Sequence, residues 1–162
     1  MAVGRDFEHW YPGEHGRLFA SLLALSGDRE LAADATDEAL SRALQHCDRV
    51  GRMESPGGWT YRVAVNVLRR LARRRALERR FLRRLARPHV VSPPAGEVWD
   101  VVRSLPERQR TAVVLRYVAD LPESDIATAM GVTRGTVAST LADARAALAE
   151  WLAEPGVAEE SS

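Results

Sequence analysis

Apolar residues recur at helical spacing along most of the 162-residue chain. The first run covers residues 7–25, and its period near 3.6 predicts an amphipathic α-helix. Ser26-Gly27-Asp28 interrupts this run, and Asp28 can cap a second helix that is predicted to end near His46. Residues 47–58 contain three glycines and one proline, a composition that predicts a loop.

A third helix is predicted to begin near Trp59, with an apolar stripe that ends at Leu71. The next large apolar residue is Leu77, six positions on, and this spacing breaks the helical phase. The helix is therefore predicted to bend or end between Leu71 and Leu77. Beyond the break, Leu77, Phe81 and Leu85 form a second apolar stripe.

The composition changes at Arg87-Pro88, where the helical pattern stops. Residues 89–96 contain proline and glycine without periodicity, which is typical of a linker. Because no strand pattern occurs, we predict an all-α fold of two small helical modules joined by a flexible linker, the second a helix-turn-helix. The predicted boundaries are 1–87 for the first module, 88–96 for the linker, 97–153 for the second module and 154–162 for a disordered tail.

The second module has the pattern of a helix-turn-helix. A short helix ends at Met130, Gly131 supplies a left-handed stop, and Thr133 can cap a longer final helix. An ordinary helical hairpin is the alternative to a DNA-binding unit. In the DNA-binding interpretation, the start of the final helix enters a major groove. The residues expected to face DNA there are Thr133, Arg134, Gly135, Thr136, Ser139 and Thr140.

All 23 basic residues are arginine, and their distribution is uneven. The absence of lysine excludes mechanisms that need a lysine amine. The net charge is only +1, but residues 62–87 carry 11 arginines against one acid, Glu78, a net charge of +10. The flanking segments are acidic, with net charges of −4 for 1–61 and −5 for 88–162. The block predicts nucleic acid, an acidic membrane surface or an acidic protein as partner, and a solvated helix face is the remaining alternative.

The remaining composition argues against a metal, a cofactor or a membrane segment. A single cysteine, Cys47, excludes an internal disulfide and a cysteine-based zinc site, and it fits a reducing cytoplasm. The four histidines lack metal-ligand spacing, so no metal site is expected. No uncharged segment approaches the roughly 18 residues of a membrane helix, and residues 1–10 lack an apolar signal core. We expect a cytoplasmic protein without a metal or other cofactor.

Aromatic residues stand at the start of the arginine-rich helix. Because bases stack on aromatic rings while arginines hold phosphates, this helix is a candidate site for unpaired nucleic acid. Trp59 and Tyr61 could equally be core residues instead of base-stacking residues. Asn66 could equally form a hydrogen bond between packed helices instead of contacting a base edge. The candidate residues are Trp59, Tyr61, Arg62, Asn66, Arg69, Arg70 and Arg73.

Three segments together resemble the extracytoplasmic-function (ECF) branch of the bacterial sigma-70 factors. The first module carries HGRLFASLLALSGDRELAADATDEALSRA (15–43) and PGGWTYRVAVNVLRRLARRR (56–75). The second carries LPERQRTAVVLRYVADLPESDIATAMGVTRGTVASTLADARAAL (105–148). The resemblance covers residues 7–152 in the family's order and spacing. Two separate module matches make it more specific than a single helix-turn-helix.

The resemblance implies a non-enzymatic protein that binds core RNA polymerase and promoter DNA. Residues 47–58 and the helix from Trp59 to Arg73 would open the −10 element and hold its non-template strand. The linker would run toward the RNA exit path, and the final helix would read the −35 element through Thr133, Arg134, Thr136, Ser139 and Thr140. Many family members also imply an anti-sigma factor that holds the two modules closed. The residues expected to meet the polymerase are Asp34, Asp37, Glu38 and Arg42 at the β′ clamp helices, and Leu115 and Tyr117 at the β flap.

The final helix departs from the family's pattern. Residues 106–152 have a net charge of −1, so −35 binding is predicted to be the weakest inherited property. One alternative is a sigma-like regulator that binds polymerase or a partner protein but has lost autonomous −35 recognition. Another is an RNA- or membrane-surface-binding protein that uses residues 62–87. The family commonly has basic residues at the positions of Ala138, Thr140 and Asp143, and only Arg134 and Arg145 of this helix are basic.

Overall fold

The computed structural model describes residues 3–82 and 96–153, and within them every regular element is an α-helix. The predicted tail and all of the predicted linker except Gly96 lie outside the described residues. None of the described helices is long and apolar enough to cross a membrane. The helices are α1 (Val3–Ser26), α2 (Arg29–Gln45), α3 (Cys47–Val50), α4 (Pro56–Leu82), α5 (Glu97–Ser104), α6 (Glu107–Tyr117), α7 (Glu123–Met130) and α8 (Arg134–Ala153).

The α1–α2 corner follows the sequence prediction. Gly27 adopts a left-handed φ of 65° and ends α1. The Asp28 carboxylate then accepts hydrogen bonds from the backbone N–H groups of Glu30 (3.0 Å) and Leu31 (3.1 Å). These donors have no partner within the helix, so Asp28 caps α2 as predicted.

The loop predicted for residues 47–58 is confirmed only for residues 51–55, and the arginine-rich helix does not end between Leu71 and Leu77. The predicted loop contains the short helix α3, and α4 begins at Pro56, where proline's fixed φ suits a first helical residue. α4 then continues through the predicted break, because arginine, alanine and leucine favour helix and no glycine or proline interrupts them. The change of phase leaves Leu77 (65% exposed) and Phe81 (77% exposed) outside the core.

The C-terminal half contains the predicted helix-turn-helix. Gly131 ends α7 with a φ of 66°, and the Val132 N–H donates to the Ala127 carbonyl (3.0 Å). The Thr133 hydroxyl accepts from the Thr136 N–H (3.1 Å) at the start of α8. Val137 is fully buried where the helices cross. The turn and its cap therefore fix the angle between α7 and α8.

The two halves share one core. Around Leu18 and Leu40, α1 packs on α2 and α2 on α4, whereas α6, α7 and α8 pack around Ile126 and Leu141. The halves also meet directly, since α4 lies against α7 and α1 lies against α6. Most buried apolar side chains of both halves consequently belong to one continuous cluster.

The α2 cap is tied to α4 by an ion pair. Arg75 donates to Asp28 (2.6 Å) and also to Glu30. Partial burial of Asp28 opposes its ionisation, but hydrogen bonds from the Leu31 N–H and from Arg75 lower the pKa of the carboxyl below its usual value. The charged form of Asp28 therefore stabilises the fold.

We expect the stability of the native protein to depend on pH through Asp28. Because its folded pKa is lowered, its contribution is present above the unfolded pKa and is lost as pH falls through the folded pKa. Asp28→Asn keeps a good cap but loses the charge. The variant should be less stable than the native protein at pH 7. The difference between their free energies of unfolding, measured with urea, should become smaller below about pH 4. Asp34→Asn, which removes an exposed carboxylate from the same helix, is the control. A difference for Asp28→Asn that is constant with pH would contradict this assignment.

Candidate nucleic-acid interface

One face of α4 presents most of the residues predicted to hold unpaired DNA. At about 100° per residue, these positions fall within an arc of roughly 100°. Trp59 is partly exposed at the start of the face, and the polar residues that follow are exposed. The face therefore combines an accessible ring with guanidinium groups. It consists of Trp59, Arg62, Asn66, Arg69, Arg70 and Arg73 and is called the α4 face below.

Tyr61 does not belong to the α4 face. Its side chain is fully buried on the opposite side of the helix. Burial raises the pKa of the Tyr61 phenol above its usual range, and the nearby Glu14 carboxylate adds to the effect. Its ring offers no surface on which a base could stack in this structure, so the prediction for Tyr61 is corrected to a core position.

Acidic residues neutralise part of the arginine block. Arg69 pairs with Glu107 of α6 at 2.7 Å, and Arg70 pairs with Glu38 of α2 at 2.7 Å. The hydrogen bond from Arg70, with the charges of Arg70 and Arg42, lowers the pKa of the Glu38 carboxyl. Further along α4, Arg74 pairs with Glu78 within the helix, and Arg75 and Arg79 reach Asp28.

Arg62 and Arg73 are the exposed arginines of the α4 face that form no ion pair with a carboxylate of the described residues. The Arg73 guanidinium instead donates to the carbonyl of Arg69 at 3.3 Å. The charge available to a polyanion on this face is therefore smaller than the sequence count suggests, and it is concentrated at these two positions.

The predicted polymerase contacts divide into exposed and buried residues. On α2, Asp34, Asp37 and Arg42 are exposed and Glu38 is half-buried, all on one face. On α6, Tyr117 is 58% exposed, and its hydroxyl accepts a hydrogen bond from the Arg145 guanidinium (2.9 Å).

Leu115 is fully buried, so its predicted surface contact is corrected to a core role. Its neighbour two positions on, Tyr117, lies on the opposite side of α6 because successive residues turn by about 100°. A pair of residues at i and i+2 on a helix therefore does not share a face.

Most hydroxyls at the start of α8 are used within the protein. Thr133 caps the helix, and Ser139 and Thr140 donate to the Thr136 carbonyl at 3.1 Å and 2.7 Å. Arg134 and Gly135 are exposed, whereas Thr136 is half-buried beside Thr133. Arg134 therefore remains the one strongly basic group among the residues predicted to read DNA here.

The described residues contain no group of three or more histidine, cysteine, aspartate or glutamate side chains arranged to hold a metal ion.

The contact between α4 and α7, through Ser55, Gly58 and Asp125, was not predicted. The consecutive glycines 57 and 58 were a signal for it, because glycine allows close approach of another backbone.

The helical fold and the helix-turn-helix are typical of a DNA-binding transcription protein. Family models match both halves: Sigma-70 region 2 covers residues 13–78, and Sigma-70, region 4 covers residues 95–148. The chain belongs to the ECF branch of the sigma-70 family, whose members bind core RNA polymerase and promoter DNA in transcription initiation. Sigma factors are not enzymes.

Named relatives cover nearly the whole chain. The ECF RNA polymerase sigma factor SigL of Mycobacterium tuberculosis is 31% identical over 150 residues, which are 86% of this chain and 85% of SigL. The RNA polymerase sigma-E factor of Streptomyces coelicolor is 29% identical over 154 residues, covering 91% of this chain and 86% of that protein.

Solved sigma factor structures have the same fold. The sigma factor RpoE of Bartonella quintana, in complex with the anti-sigma factor NepR, matches with a TM-score of 0.73 and 22% identity, covering 91% of this chain and 97% of RpoE. CnrH in complex with the cytosolic domain of CnrY matches with a TM-score of 0.65 and 20% identity, covering 92% of this chain and 88% of CnrH.

Proposed function

We propose that this sigma factor opens the −10 element by holding unpaired bases of the non-template strand on the α4 face. The observation that carries the proposal is the partly exposed Trp59 on the same helix face as Arg62 and, about 21 Å further along α4, Arg73; the two arginines form no ion pair within the described residues. Stacking on the ring would stabilise an extruded base, Arg62 would hold a neighbouring phosphate, and Arg73 would hold a phosphate further along the strand. Asn66, exposed between them, is suited to a base edge.

The proposed polymerase contacts on α2 adjoin the α4 face, since Glu38 of α2 pairs with Arg70. The α2 face with Asp34, Asp37 and Arg42 would dock on the β′ clamp helices, and exposed Tyr117 would meet the β flap. Residues 88–96 would connect the promoter-binding modules 1–87 and 97–153 along the RNA exit path. The protein would act in the cytoplasm together with the polymerase.

We further propose that α8 binds the −35 element weakly. Few phosphate contacts are available, because Arg145 donates to Tyr117 and Asp143 adds negative charge to the exposed side of α8. The same observation favours a second candidate function, a sigma-like regulator without autonomous −35 recognition. An anti-sigma factor is a further candidate partner, since the structure of RpoE contains the anti-sigma factor NepR.

Transcription with purified components tests the proposal. The chain, core RNA polymerase from its source bacterium and a randomised promoter library should yield transcripts whose templates share a −10 sequence. Scrambling that sequence should abolish run-off product, whereas scrambling the −35 sequence should reduce it. A holoenzyme that forms but gives no specific transcript would overturn the proposed function. Transcription that does not depend on the −35 sequence would favour the second candidate.

A triple variant separates the two interpretations of α8, which are a helix that recognises its own −35 sequence and a helix that has lost this recognition. The variant carries Ala138→Arg, Thr140→Arg and Asp143→Arg. A degenerate module should gain −35 binding, because three phosphate contacts become available. If α8 already recognises a particular −35 sequence, the variant should instead lose its preference for that sequence. Binding is measured on duplex −35 DNA with the holoenzyme at two salt concentrations.

A further inference from the structure

The second half of α4 places apolar side chains on its outer side. Leu77 and Phe81 are mostly exposed, although both belong to a regular part of the helix. At about 100° per residue, Leu77 lies directly opposite Leu68, a buried core residue of the same helix. The core side carries charge at this level instead, because Arg75 and Arg79 pair there with the carboxylate of the α2 cap. The usual arrangement of an amphipathic helix is therefore inverted in this part of α4.

The two exposed apolar residues continue the α4 face. Leu77 falls within the same arc of about 100° as Trp59 and Arg73, and Phe81 lies about 20° beyond its edge. Along the helix axis, Phe81 is about 12 Å from Arg73 and about 33 Å from Trp59. Arg80 is exposed within this arc and forms no ion pair in the part of the chain that the structure describes. The surface that begins at Trp59 thus ends at a second accessible aromatic ring.

We propose that Phe81 is a second stacking residue for unpaired promoter DNA, so that the non-template strand runs along α4 from Trp59 to Phe81. This site rests on the proposed function of the α4 face. It extends that face beyond residue 78, where the match to Sigma-70 region 2 ends. Membership in the family therefore assigns no role to the Phe81 ring, and its position on the helix does.

The charge and the residue pattern of this surface favour a nucleic acid as its occupant. Residues 69–82 contain seven arginines and one acid, a net charge of +6, so the surface attracts an anionic partner. A helix that lies in an anionic membrane needs an uninterrupted apolar face. On this side of α4, Leu77 and Phe81 are interleaved with Arg70, Arg73 and Arg74. Aromatic rings interleaved with guanidinium groups are typical of surfaces that bind single strands.

The distance between the two rings sets the spacing of the two stacked bases. A separation of 33 Å corresponds to about ten nucleotides stacked at 3.4 Å each, and to fewer in an extended strand. The two bases should therefore belong to one strand and lie no more than about ten nucleotides apart. The phosphates between them would pass Arg62 and Arg73, which form no ion pair within the described residues.

Abasic scanning of the non-template strand with the holoenzyme tests the site. The probe is the labelled strand selected from the promoter library, extended by about ten nucleotides on each side of the −10 element. Removing one base keeps every phosphate, so it measures stacking separately from charge. In the native holoenzyme, we expect one position for each ring at which loss of the base lowers affinity about tenfold. Phe81→Leu should abolish the sensitivity at one of these positions, and Trp59→Ala the sensitivity at the other.

Phe81→Tyr is the matched control for Phe81→Leu. Both variants replace one exposed side chain by another, and circular dichroism checks that both stay helical. Phe81→Tyr keeps an aromatic ring and should retain both sensitive positions. Phe81→Leu keeps an apolar side chain without a ring and should lose one of them. If the two variants behave alike, Phe81 does not stack on a base and the proposed site is wrong.

The remaining outcomes separate this site from the proposed function. If Trp59→Ala removes a sensitive position and Phe81→Leu removes none, the α4 face binds the strand without Phe81, and the proposed site is wrong. If neither variant removes a position, the proposed function fails as well. Sedimentation with phosphatidylglycerol vesicles tests the lipid alternative. Vesicle binding that is lost in Phe81→Leu, with unchanged abasic sensitivity, would assign Phe81 to a membrane surface and overturn its role in DNA binding.

Discussion

Replacing Tyr61 by alanine is expected to cost about 3–5 kcal/mol of folding free energy, the usual range for deleting a buried aromatic ring. Tyr61 has no exposed surface and is the largest fully buried side chain of the core. The substitution would leave a cavity on the inner side of α4, beneath the α4 face. Urea unfolding followed by circular dichroism measures the loss, with an unchanged slope indicating that the same cooperative unit unfolds.

Two companion variants separate a core role from a base-stacking role. Tyr61→Phe keeps the ring and removes a hydroxyl whose polar neighbours are Glu14 and Ser21, so we expect a change of about 1 kcal/mol or less. Trp59→Ala, at a partly exposed position, should preserve the fold and weaken binding to unpaired −10 DNA. If Tyr61→Ala kept full stability and lost only DNA binding, Tyr61 would be a base-stacking residue after all.

Helical phase was sufficient to assign Tyr61 to the core from the sequence. Ala64, Val65 and Leu68 follow it at i+3, i+4 and i+7, the spacing of one apolar stripe. Trp59 is followed at i+3 and i+7 by Arg62 and Asn66 instead. The proximity of two aromatic residues in sequence suggested a shared function, but positions two apart point to different sides of a helix.

The sequence predicted most of the helices, the α2 cap and the helix-turn-helix because these depend on neighbouring residues. It could not predict the charge pattern of α4, because the acids that pair with it are distant in sequence. Asp28 precedes Arg75 by 47 positions and Glu107 follows Arg69 by 38. A charge count along the chain treats these arginines as free, whereas in the folded protein they form ion pairs with these distant carboxylates.

The contact between the halves was beyond sequence reasoning for a related reason. The prediction of a flexible linker treated the modules as independent, and the residues that join them are a serine, a glycine and an aspartate without a motif. Close approach of two backbones depends on the shapes of both surfaces, and local periodicity carries no information on that fit.

Replacing Arg62 and Arg73 together by alanine is expected to abolish promoter opening by the holoenzyme. Both are exposed and form no ion pair within the described residues, so both can bind phosphates without first breaking an ion pair. Each phosphate contact to a single strand contributes about 0.7 to the salt dependence of binding, so the slope of log affinity against log salt should fall by about 1.4. Permanganate reactivity of −10 thymines measures opening, and a labelled −10 oligonucleotide measures the slope.

A control variant that loses the same number of arginines at other positions separates the effect of position from the effect of net charge. Arg17→Ala with Arg74→Ala also removes two exposed arginines, one on α1 and one outside the α4 face. This variant should retain permanganate-reactive thymines and a nearly native salt slope, because long-range attraction between exposed charges is screened within about 8–10 Å. Equal losses in both variants would mean that the arginine block attracts DNA only through its total charge. A loss confined to Arg62 and Arg73 would assign the single-stranded −10 DNA to the α4 face, since the two variants have the same net charge and differ only in where the guanidinium groups stood.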